Sequence, residues 1–406
     1  MKLITSTAIA LAAALAVPAA AQGSKPPAAQ PAQPQIKPSS KALKAIIDLQ
    51  DAVNKKDTAT IPAKVAAADA VASTKEDHYL IAQLQLKAAV DANDKPAISA
   101  AIDKIAASGE LDTGKVSALY VGLGGSYFND KQYPQATAAY QKALSLDPRN
   151  AEAGKMVGEA LFASGQKAEA AAAFQRAIQA SVAAGQKPDE ALVKRAVAVA
   201  YDVQSPMAVD LARQWVAAYP SPGAWSDTIA IYSNLNHPDA ESALDLYRLR
   251  QVTGSMTDGG EYAQYARTAA ELNNFNEAKA ALDAGVAAKA IDPADAKYSD
   301  LVKGLKAKPI ATAADLAEAT KTAQSGMALL RIGDRYYAMG DYAKAVDLYR
   351  MSMGKAGVDK DVANLHIGMA LARAGDKAGA TAALNAVTGP RSGIAKLWLT
   401  YLDQKA

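Results

Sequence analysis

The sequence contains no cysteine and only three histidines among its 406 residues. Without cysteine, the chain cannot form a disulfide, a thiolate metal site or the lipid-modified terminus of a bacterial lipoprotein, which requires a Cys at its cleavage site. The histidines, His78, His237 and His366, do not lie at metal-ligand spacing, and we interpret each as a surface or turn residue. Neither a nucleophile elbow nor a phosphate-binding loop is present. We therefore expect no catalytic residues, no metal site and no bound cofactor.

The chain also lacks a strong excess of either charge. Its 44 Lys and Arg face 41 Asp and Glu, and loss of residues 1–21 would remove only Lys2. Nucleic-acid-binding proteins usually carry a basic stripe, and attraction to anionic lipid likewise needs clustered Lys and Arg. Beyond residue 21, no apolar run is long enough to form a transmembrane helix. We therefore expect neither a nucleic-acid partner nor stable membrane insertion after the first 21 residues.

Residues 1–21 have the three parts of a secretory signal peptide: a positively charged start, an apolar stretch from Leu3 to Val17, and small residues that end in Ala21. Cleavage after Ala21 predicts a periplasmic protein, with full secretion left open. Residues 22–39 are rich in Pro, Gln and Ala without periodicity, which is typical of a flexible linker. We interpret this linker as a spacer in preference to a polyproline docking segment, because its prolines match no specific recognition pattern.

Five stretches beyond residue 115 share one signature: a small residue, a second small residue twelve positions later, and a large apolar residue four positions beyond that. The copies are Gly124–Ala136–Tyr140, Gly158–Ala170–Phe174, Ala266–Ala278–Leu282, Gly333–Ala345–Tyr349 and Gly368–Ala380–Leu384. Two helices approach to about 8 Å only where the side chains at their crossing are nearly absent. The large residue lies one turn further along the same face and seals the seam. The signature therefore predicts an all-α array of helix pairs, for which binding of other macromolecules is the default function.

The fuller pattern around the first copy resembles the tetratricopeptide repeat. Its first helix carries Tyr120, Leu123, Gly124 and Tyr127, its second carries Ala136, Tyr140 and Ala143, and Pro148 closes the unit. The next 34 residues repeat this pattern with Val157, Gly158, Leu161, Ala170, Phe174 and Ala177. The resemblance implies a helical-repeat solenoid, in which stacked helix pairs twist into an α-α superhelix.

These patterns divide the chain into seven segments. They are a signal peptide at 1–21, the linker at 22–39, an N-terminal helical region at 40–112, TPR-like repeats at 115–293, an irregular helical segment at 294–324, two repeats at 325–390 and a C-terminal capping helix at 391–406. The region 40–112 has helical periodicity without the signature, so it is interpreted as diverged repeats or as a cap. The register of the repeats is less regular between residues 190 and 290.

The resemblance also implies which residues bind a partner. In tetratricopeptide repeats, ligand contacts come mainly from first-helix positions that are not used for packing. Carried onto this sequence, those positions are Phe128, Asn129, Lys155, Glu159, Phe162, Leu330, Asp334, Tyr337, Met369 and Arg373. Phe128, Phe162 and Tyr337 are the expected anchors, because aromatic residues dominate interface energetics. The alternative for each position is packing against a neighbouring repeat.

Three functions fit these observations. The favoured one is a non-enzymatic periplasmic scaffold or adaptor that binds proteins of the cell envelope through a concave groove. The alternative is a glycan- or small-ligand-binding solenoid associated with cell-wall processing, since Tyr336, Tyr337 and Tyr342 form a tyrosine cluster, although two of them fall at packing positions. A third is self-association through poorly capped repeat ends. Neither the partner nor the oligomeric state follows from the sequence.

Overall fold

The computed structural model describes residues 36–405, most of which are α-helical, with no β-strand among them. They form two compact units that divide between Val203 and Gln204; we call the part up to Val203 unit 1 and the part from Gln204 unit 2. The predicted all-α helical-repeat fold is confirmed. The division lies inside the region 115–293, for which the sequence indicated continuous repeats. The predicted signal peptide and most of the predicted linker lie outside the described residues.

Unit 1 is built from consecutive helix pairs. Its described helices are α1 (Leu43–Asn54), α2 (Ile61–Asp69), α3 (Lys75–Asp91), α4 (Lys95–Ser108), α5 (Thr113–Asn129), α6 (Tyr133–Leu146), α7 (Ala151–Ala163), α8 (Lys167–Ala183) and α9 (Glu190–Asp202). Each helix packs against the next one in the chain. The region predicted at 40–112 thus forms two helix pairs, α1 with α2 and α3 with α4.

The amino-terminal end of the described chain is held against α3 by Asp77. Its carboxylate accepts hydrogen bonds from the Ser39 backbone N–H at 2.7 Å, the Ser39 hydroxyl at 2.8 Å and the Ser73 N–H at 3.0 Å. Thr74 caps the same helix and forms a reciprocal capping box with Asp77. Burial would raise the pKa of Asp77, but these donors outweigh burial and lower it. Asp77 therefore takes part in the cap of α3 and also binds Ser39 in the segment that precedes α1.

Unit 2 contains the remaining described helices. They are α10 (Met207–Ala218), α11 (Pro222–Asn236), α12 (Ala240–Thr253), α13 (Gly259–Glu271), α14 (Phe275–Ala287), α15 (Ala296–Lys306), α16 (Ala313–Thr322), α17 (Gly326–Ala338), α18 (Tyr342–Met353), α19 (Lys360–Ala374), α20 (Lys377–Asn385) and α21 (Ser392–Asp403). Helices α15 and α16 occupy the segment predicted to be irregular, and the chain between them, at 307–312, is not helical. None of the helices among residues 36–405 combines the length and apolar character needed to span a bilayer.

The repeat signature produces the predicted helix seams in both units. A Cβ added to Gly124 would lie 2.5 Å from a ring carbon of Tyr140, and one added to Gly158 would lie 2.5 Å from a ring carbon of Phe174. In unit 2, the same 2.5 Å distance separates such a Cβ from Tyr349 at Gly333 and from Leu384 at Gly368. Only glycine leaves room for these side chains. The predicted sealing of each seam by the large residue of the signature is therefore confirmed.

Unit 2 closes on itself through its last helix. Helix α21, in the segment predicted as a cap, packs against α19 and α20 and also against α10 and α12. Gln404 stabilises this contact. Its side-chain N–H donates to the Val216 carbonyl at 2.7 Å, and its side-chain carbonyl accepts from the Trp225 indole at 3.1 Å. The sequence pattern alone did not indicate this closure.

Candidate functional site

The candidate partner-binding residues of unit 1 lie on two successive first helices. Phe128 and Asn129 end α5, while Lys155, Glu159 and Phe162 lie on α7. Asn129 is exposed and the other four side chains are half-buried. Phe128 and Phe162 occupy equivalent repeat positions. Together with Arg195 of α9, these five residues define what we call the first-helix surface. It combines aromatic area with charges of both signs, which is typical of a protein-binding surface.

Arg195 organises the α7 part of this surface. Its guanidinium donates two parallel hydrogen bonds to Glu159, at 3.1 and 3.0 Å, and its Cζ lies 4.1 Å from the centre of the Phe162 ring. A bidentate arginine–carboxylate pair fixes both side chains in one geometry, and the ring adds a cation–π contact. About a third of the Arg195 side chain, 36%, remains exposed. Arg195 was not among the predicted site residues, because it belongs to a less regular repeat in which the sequence pattern is weak.

The structure corrects three of the predicted site residues of unit 2. Leu330, Tyr337 and Met369 are 2%, 8% and 0% exposed, so they pack in the interior and do not form a partner-binding surface. The physical reason is long-range packing within unit 2, where α17 packs against α14 and α19 packs against α21, so first-helix positions that an open array would leave free are covered. Of the other two, Asp334 is mostly buried, whereas Arg373 is exposed and donates to the Tyr342 hydroxyl at 2.9 and 2.6 Å.

Asp334 belongs to a group of charged side chains inside unit 2 that we call the charged cluster: Asp245, Arg248, Glu277, Asp334, His366 and Arg391. Arg248 forms a bidentate pair with Glu277, with both distances 2.7 Å, and also lies 3.0 Å from Asp245 and 3.4 Å from Asp334. Arg391 donates to the other oxygen of Asp245 at 2.8 Å. The cluster thereby connects α12, α14, α17, α19 and the residue before α21.

His366 lies between two carboxylates of this cluster, so its interpretation as a surface or turn residue was wrong. Its Nε2 is 3.1 Å from Asp245 and its Nδ1 is 3.0 Å from Asp334. The second contact has the distance of a hydrogen bond but not its angle, and we regard it as an ion pair. Burial would lower the pKa of His366, but Asp334 and Asp245 outweigh burial and raise it to about 9. At neutral pH the ring is therefore an imidazolium.

The pKa values of two carboxylates in the cluster are shifted in the opposite direction, downward. Burial would raise the pKa values of Asp245 and Asp334, but His366 and the neighbouring arginines lower both. The Tyr349 hydroxyl donates to Asp334 at 2.9 Å, and Tyr265 donates to Glu277 at 2.8 Å. Both oxygens of Asp245 and of Glu277 are already bound within the cluster. We conclude that the cluster acts as an internal clasp between helices.

The cluster forms one side of a cleft of about 320 Å³ in unit 2. Arg331 and Arg335 of α17 line this cleft, and neither forms an ion pair within residues 36–405. Asp239 and Glu241 line it as well, so the cleft carries both signs of charge. No group of three or more His, Asp or Glu side chains in the described chain is arranged to hold a metal ion. Sequence reasoning missed the cluster because its ion pairs join residues far apart in the chain, such as the 29 positions between Arg248 and Glu277.

Two segments of the chain match family models. The model described as tetratricopeptide repeat matches residues 117–150, which correspond to α5, α6 and the turn that follows, and a second tetratricopeptide repeat model matches residues 327–353 on α17 and α18. These are the segments of the Gly124–Tyr140 and Gly333–Tyr349 seams. A search of curated proteins found no match.

The chain is similar to several solved structures at low sequence identity. A tetratricopeptide repeat protein from Parabacteroides merdae is 12% identical over 72% of this chain and 99% of its own, with a TM-score of 0.28. Pseudomonas aeruginosa pilF is 13% identical over 72% of this chain and 99% of its own, with a TM-score of 0.21. Yeast Tom70 is 14% identical over 90% of this chain and 88% of its own, with a TM-score of 0.22.

Proposed function

The chain belongs to the tetratricopeptide repeat family, and on that premise we propose that it is a scaffold that binds a protein partner through the first-helix surface of unit 1. Repeats of this family typically form non-catalytic platforms for protein–protein interaction. The proposal assigns no reaction to the chain. It also places the partner contact in unit 1, because the corresponding positions of unit 2 are largely buried.

The observation that carries the proposal is the repetition of half-buried phenylalanines on adjacent first helices. Phe128 packs edge-on against Tyr133, with ring centres 5.4 Å apart, and Phe162 lies beneath Arg195. Both rings are thus held in place before a partner arrives, which reduces the entropy lost on binding. Lys155 and Glu159 beside them offer charges that select a complementary segment. An extended peptide or a helix that carries an apolar side chain and mixed charges fits this surface.

The proposal extends to location and to the source of the partner. We place the mature protein in the periplasm and its partner among the proteins of the cell envelope. The support is the sequence of residues 1–21, which has the charge, apolar stretch and small-residue end of a cleavable signal peptide. Detection of the protein in a periplasmic extract, with an amino terminus at Gln22, tests this part. A cytoplasmic protein that retains Met1 would contradict it.

Site-specific photocrosslinking in cells tests the partner-binding surface. A photoreactive phenylalanine analogue replaces Phe128, Phe162 or, as a control, Phe275, which is half-buried on α14 of unit 2. We expect one discrete adduct from positions 128 and 162, and no such adduct from position 275. Mass spectrometry of the adduct then identifies the partner.

Alanine variants provide the matching binding measurement. The double variant Phe128→Ala/Phe162→Ala removes both anchors and should weaken binding of the captured partner at least tenfold, since interface aromatics contribute about 2 kcal/mol or more each when they are anchors. The variant Phe275→Ala should bind as the parent does. If the double variant remains folded by circular dichroism and binds the partner with parent affinity, the surface is assigned incorrectly.

A further inference from the structure

Unit 2 contains a second, smaller cavity that has no part in the proposed scaffold function. It has a volume of about 230 Å³ and lies among the ends of α12, α17 and α19, the start of α18, and α13 and α14. We call it the tyrosine pocket, because Tyr265, Tyr337 and Tyr342 line it. Gln251 and Arg373 complete its polar lining. The volume is below the roughly 300–1,000 Å³ of sites for drug-sized ligands, so the pocket suits a compound of about one ring.

The Tyr337 hydroxyl is the most informative group in this pocket. The side chain is only 8% exposed, and its ring is fixed between Tyr342, with ring centres 5.4 Å apart, and Arg248, at 5.1 Å from the ring centre. Within residues 36–405 the hydroxyl has no hydrogen-bond partner, although the neighbouring Tyr265 and Tyr349 each donate to a carboxylate. Unlike the Tyr140 hydroxyl, it is not one of the fully buried polar atoms that lack a partner, so it is accessible from the pocket. A ligand in the pocket can therefore form a hydrogen bond with it.

Arg373 gives the pocket its charge. Its guanidinium uses Nε and Nη2 to bond the Tyr342 hydroxyl, which leaves Nη1 without a partner in the described part of the chain. Glu277, the other charged residue of the lining, is already neutralised by Arg248. The accessible charge of the pocket is therefore positive. An arginine with a nitrogen that has no partner favours a carboxylate or another planar anion.

The polar groups surround the cavity from several directions. Tyr337 and Tyr342 offer hydroxyls, Gln251 on α12 offers an amide with no partner among residues 36–405, and Arg373 offers guanidinium N–H groups. The tyrosine rings and the methyl groups of Ala280 and Ala281 supply apolar walls. Several hydroxyl and amide groups around one small cavity match a sugar ring, which carries a hydroxyl on nearly every carbon. The aromatic walls suit the C–H faces of that ring.

From this geometry we infer that the tyrosine pocket binds a single acidic sugar ring, a pyranose that carries a carboxylate, with the carboxylate on Arg373 and a ring hydroxyl on Tyr337. The site lies in unit 2 and is independent of the partner-binding surface of unit 1. A scaffold with this site would recognise a uronate-type unit of a glycan in addition to a protein.

Calorimetric titration of the full chain with sodium D-glucuronate tests the inference, with D-glucose as the neutral comparison. We expect saturable binding of glucuronate in the millimolar range or tighter and at least tenfold weaker binding of glucose. Tyr337→Phe removes only the hydroxyl that has no partner and should weaken glucuronate binding about tenfold. Arg373→Gln should abolish the preference for glucuronate over glucose, because it removes the charge and retains hydrogen-bonding groups.

The matched control is Tyr336→Phe. Tyr336 is the adjacent residue of α17, but its hydroxyl donates to the Ala313 carbonyl at 3.3 Å and does not line the pocket. This variant should bind glucuronate as the parent does. The inference is overturned if about 10 mM glucuronate gives no saturable signal, if Tyr337→Phe binds with parent affinity, or if glucose binds as tightly as glucuronate. Circular dichroism of each variant verifies that a loss of binding is not a loss of fold.

Discussion

Gly158→Ala should destabilise the protein although alanine is the better helix former. The added Cβ would lie 2.5 Å from Cδ1 of Phe174, whereas carbon atoms make favourable contacts at about 3.5–4.0 Å. Phe174 is fully buried and cannot turn away, so the ring must shift by about 1 Å or α7 and α8 must separate. The substitution therefore tests whether the small residues of the repeat signature set the distance between the helices.

The expected magnitude follows from two opposing effects. Overpacking a well-filled contact costs about 1–3 kcal/mol. Replacing glycine by alanine within a helix gains about 0.5–1 kcal/mol. Gly304→Ala is the matched control, because Gly304 lies within α15 and its Cβ would meet no atom within 4 Å. The helix-propensity gain is common to both variants, so the difference between them, about 1–3 kcal/mol, measures the packing cost alone.

A double-mutant cycle with Phe174→Leu shows whether the cost arises at this seam. The variant Gly158→Ala/Phe174→Leu reproduces the pair that Ala266 and Leu282 form in the chain itself, where both side chains are buried. Phe174→Leu alone should cost about 1 kcal/mol or more through the cavity it leaves. The double variant should be at least about 0.5 kcal/mol more stable than the sum of the single effects, because leucine makes room for the new methyl group.

Urea unfolding followed by far-ultraviolet circular dichroism measures these free energies, and hydrogen exchange of α7 and α8 locates the change. The reasoning is refuted if Gly158→Ala and Gly304→Ala change the free energy of unfolding equally. Additive behaviour in the cycle would equally refute it, because it would mean that residues 158 and 174 do not compete for the same space.

The remaining predictions concern the buried charges and the start of the described chain. Because the pKa of His366 is about 9 in the folded protein and about 6.5 when unfolded, its stabilising contribution is complete below pH 6.5 and is lost as the pH rises through 9. Urea unfolding should therefore show a loss of up to about 3 kcal/mol between pH 6 and 10 that is absent from His366→Gln; equal losses in both proteins would contradict this assignment. Arg248→Met should cost about 3–5 kcal/mol by leaving the buried Glu277 without its cation, whereas exposed Arg331→Met should change stability by less than about 0.5 kcal/mol, both measured by urea unfolding. A near-neutral effect of Arg248→Met would show that the cluster is not a clasp. Asp77→Asn should cost about 1–3 kcal/mol and lower the melting temperature, since it weakens the acceptor of the Ser39 and Ser73 hydrogen bonds; an unchanged melting temperature would show that these bonds do not hold the chain.

Local spacing within the sequence was enough to predict the helix pairs. The repeat signature places its two small residues and its large residue at one helix crossing, because helical geometry determines which residues share a face. Gly124 with Tyr140 and Gly368 with Leu384 meet as this spacing requires. The resemblance to the tetratricopeptide repeat placed Phe128 and Phe162 at equivalent first-helix positions, and both side chains are half-buried.

Long-range packing determined which residues of unit 2 are buried and which distant residues meet. In unit 2, α17 packs against α14 and α19 packs against α21, and Leu330, Tyr337 and Met369 are buried at positions that an open array would expose. Long-range packing also brings His366 to Asp245 across 121 residues, and Arg391 to the same carboxylate across 146. Sequence periodicity does not indicate these two contacts. Whether they form depends on the stacking angles of all the helix pairs that lie between the contacting residues. The sequence by itself determined the helices and their pairing, whereas only the tertiary structure decided which first-helix residues became surface, clasp or pocket.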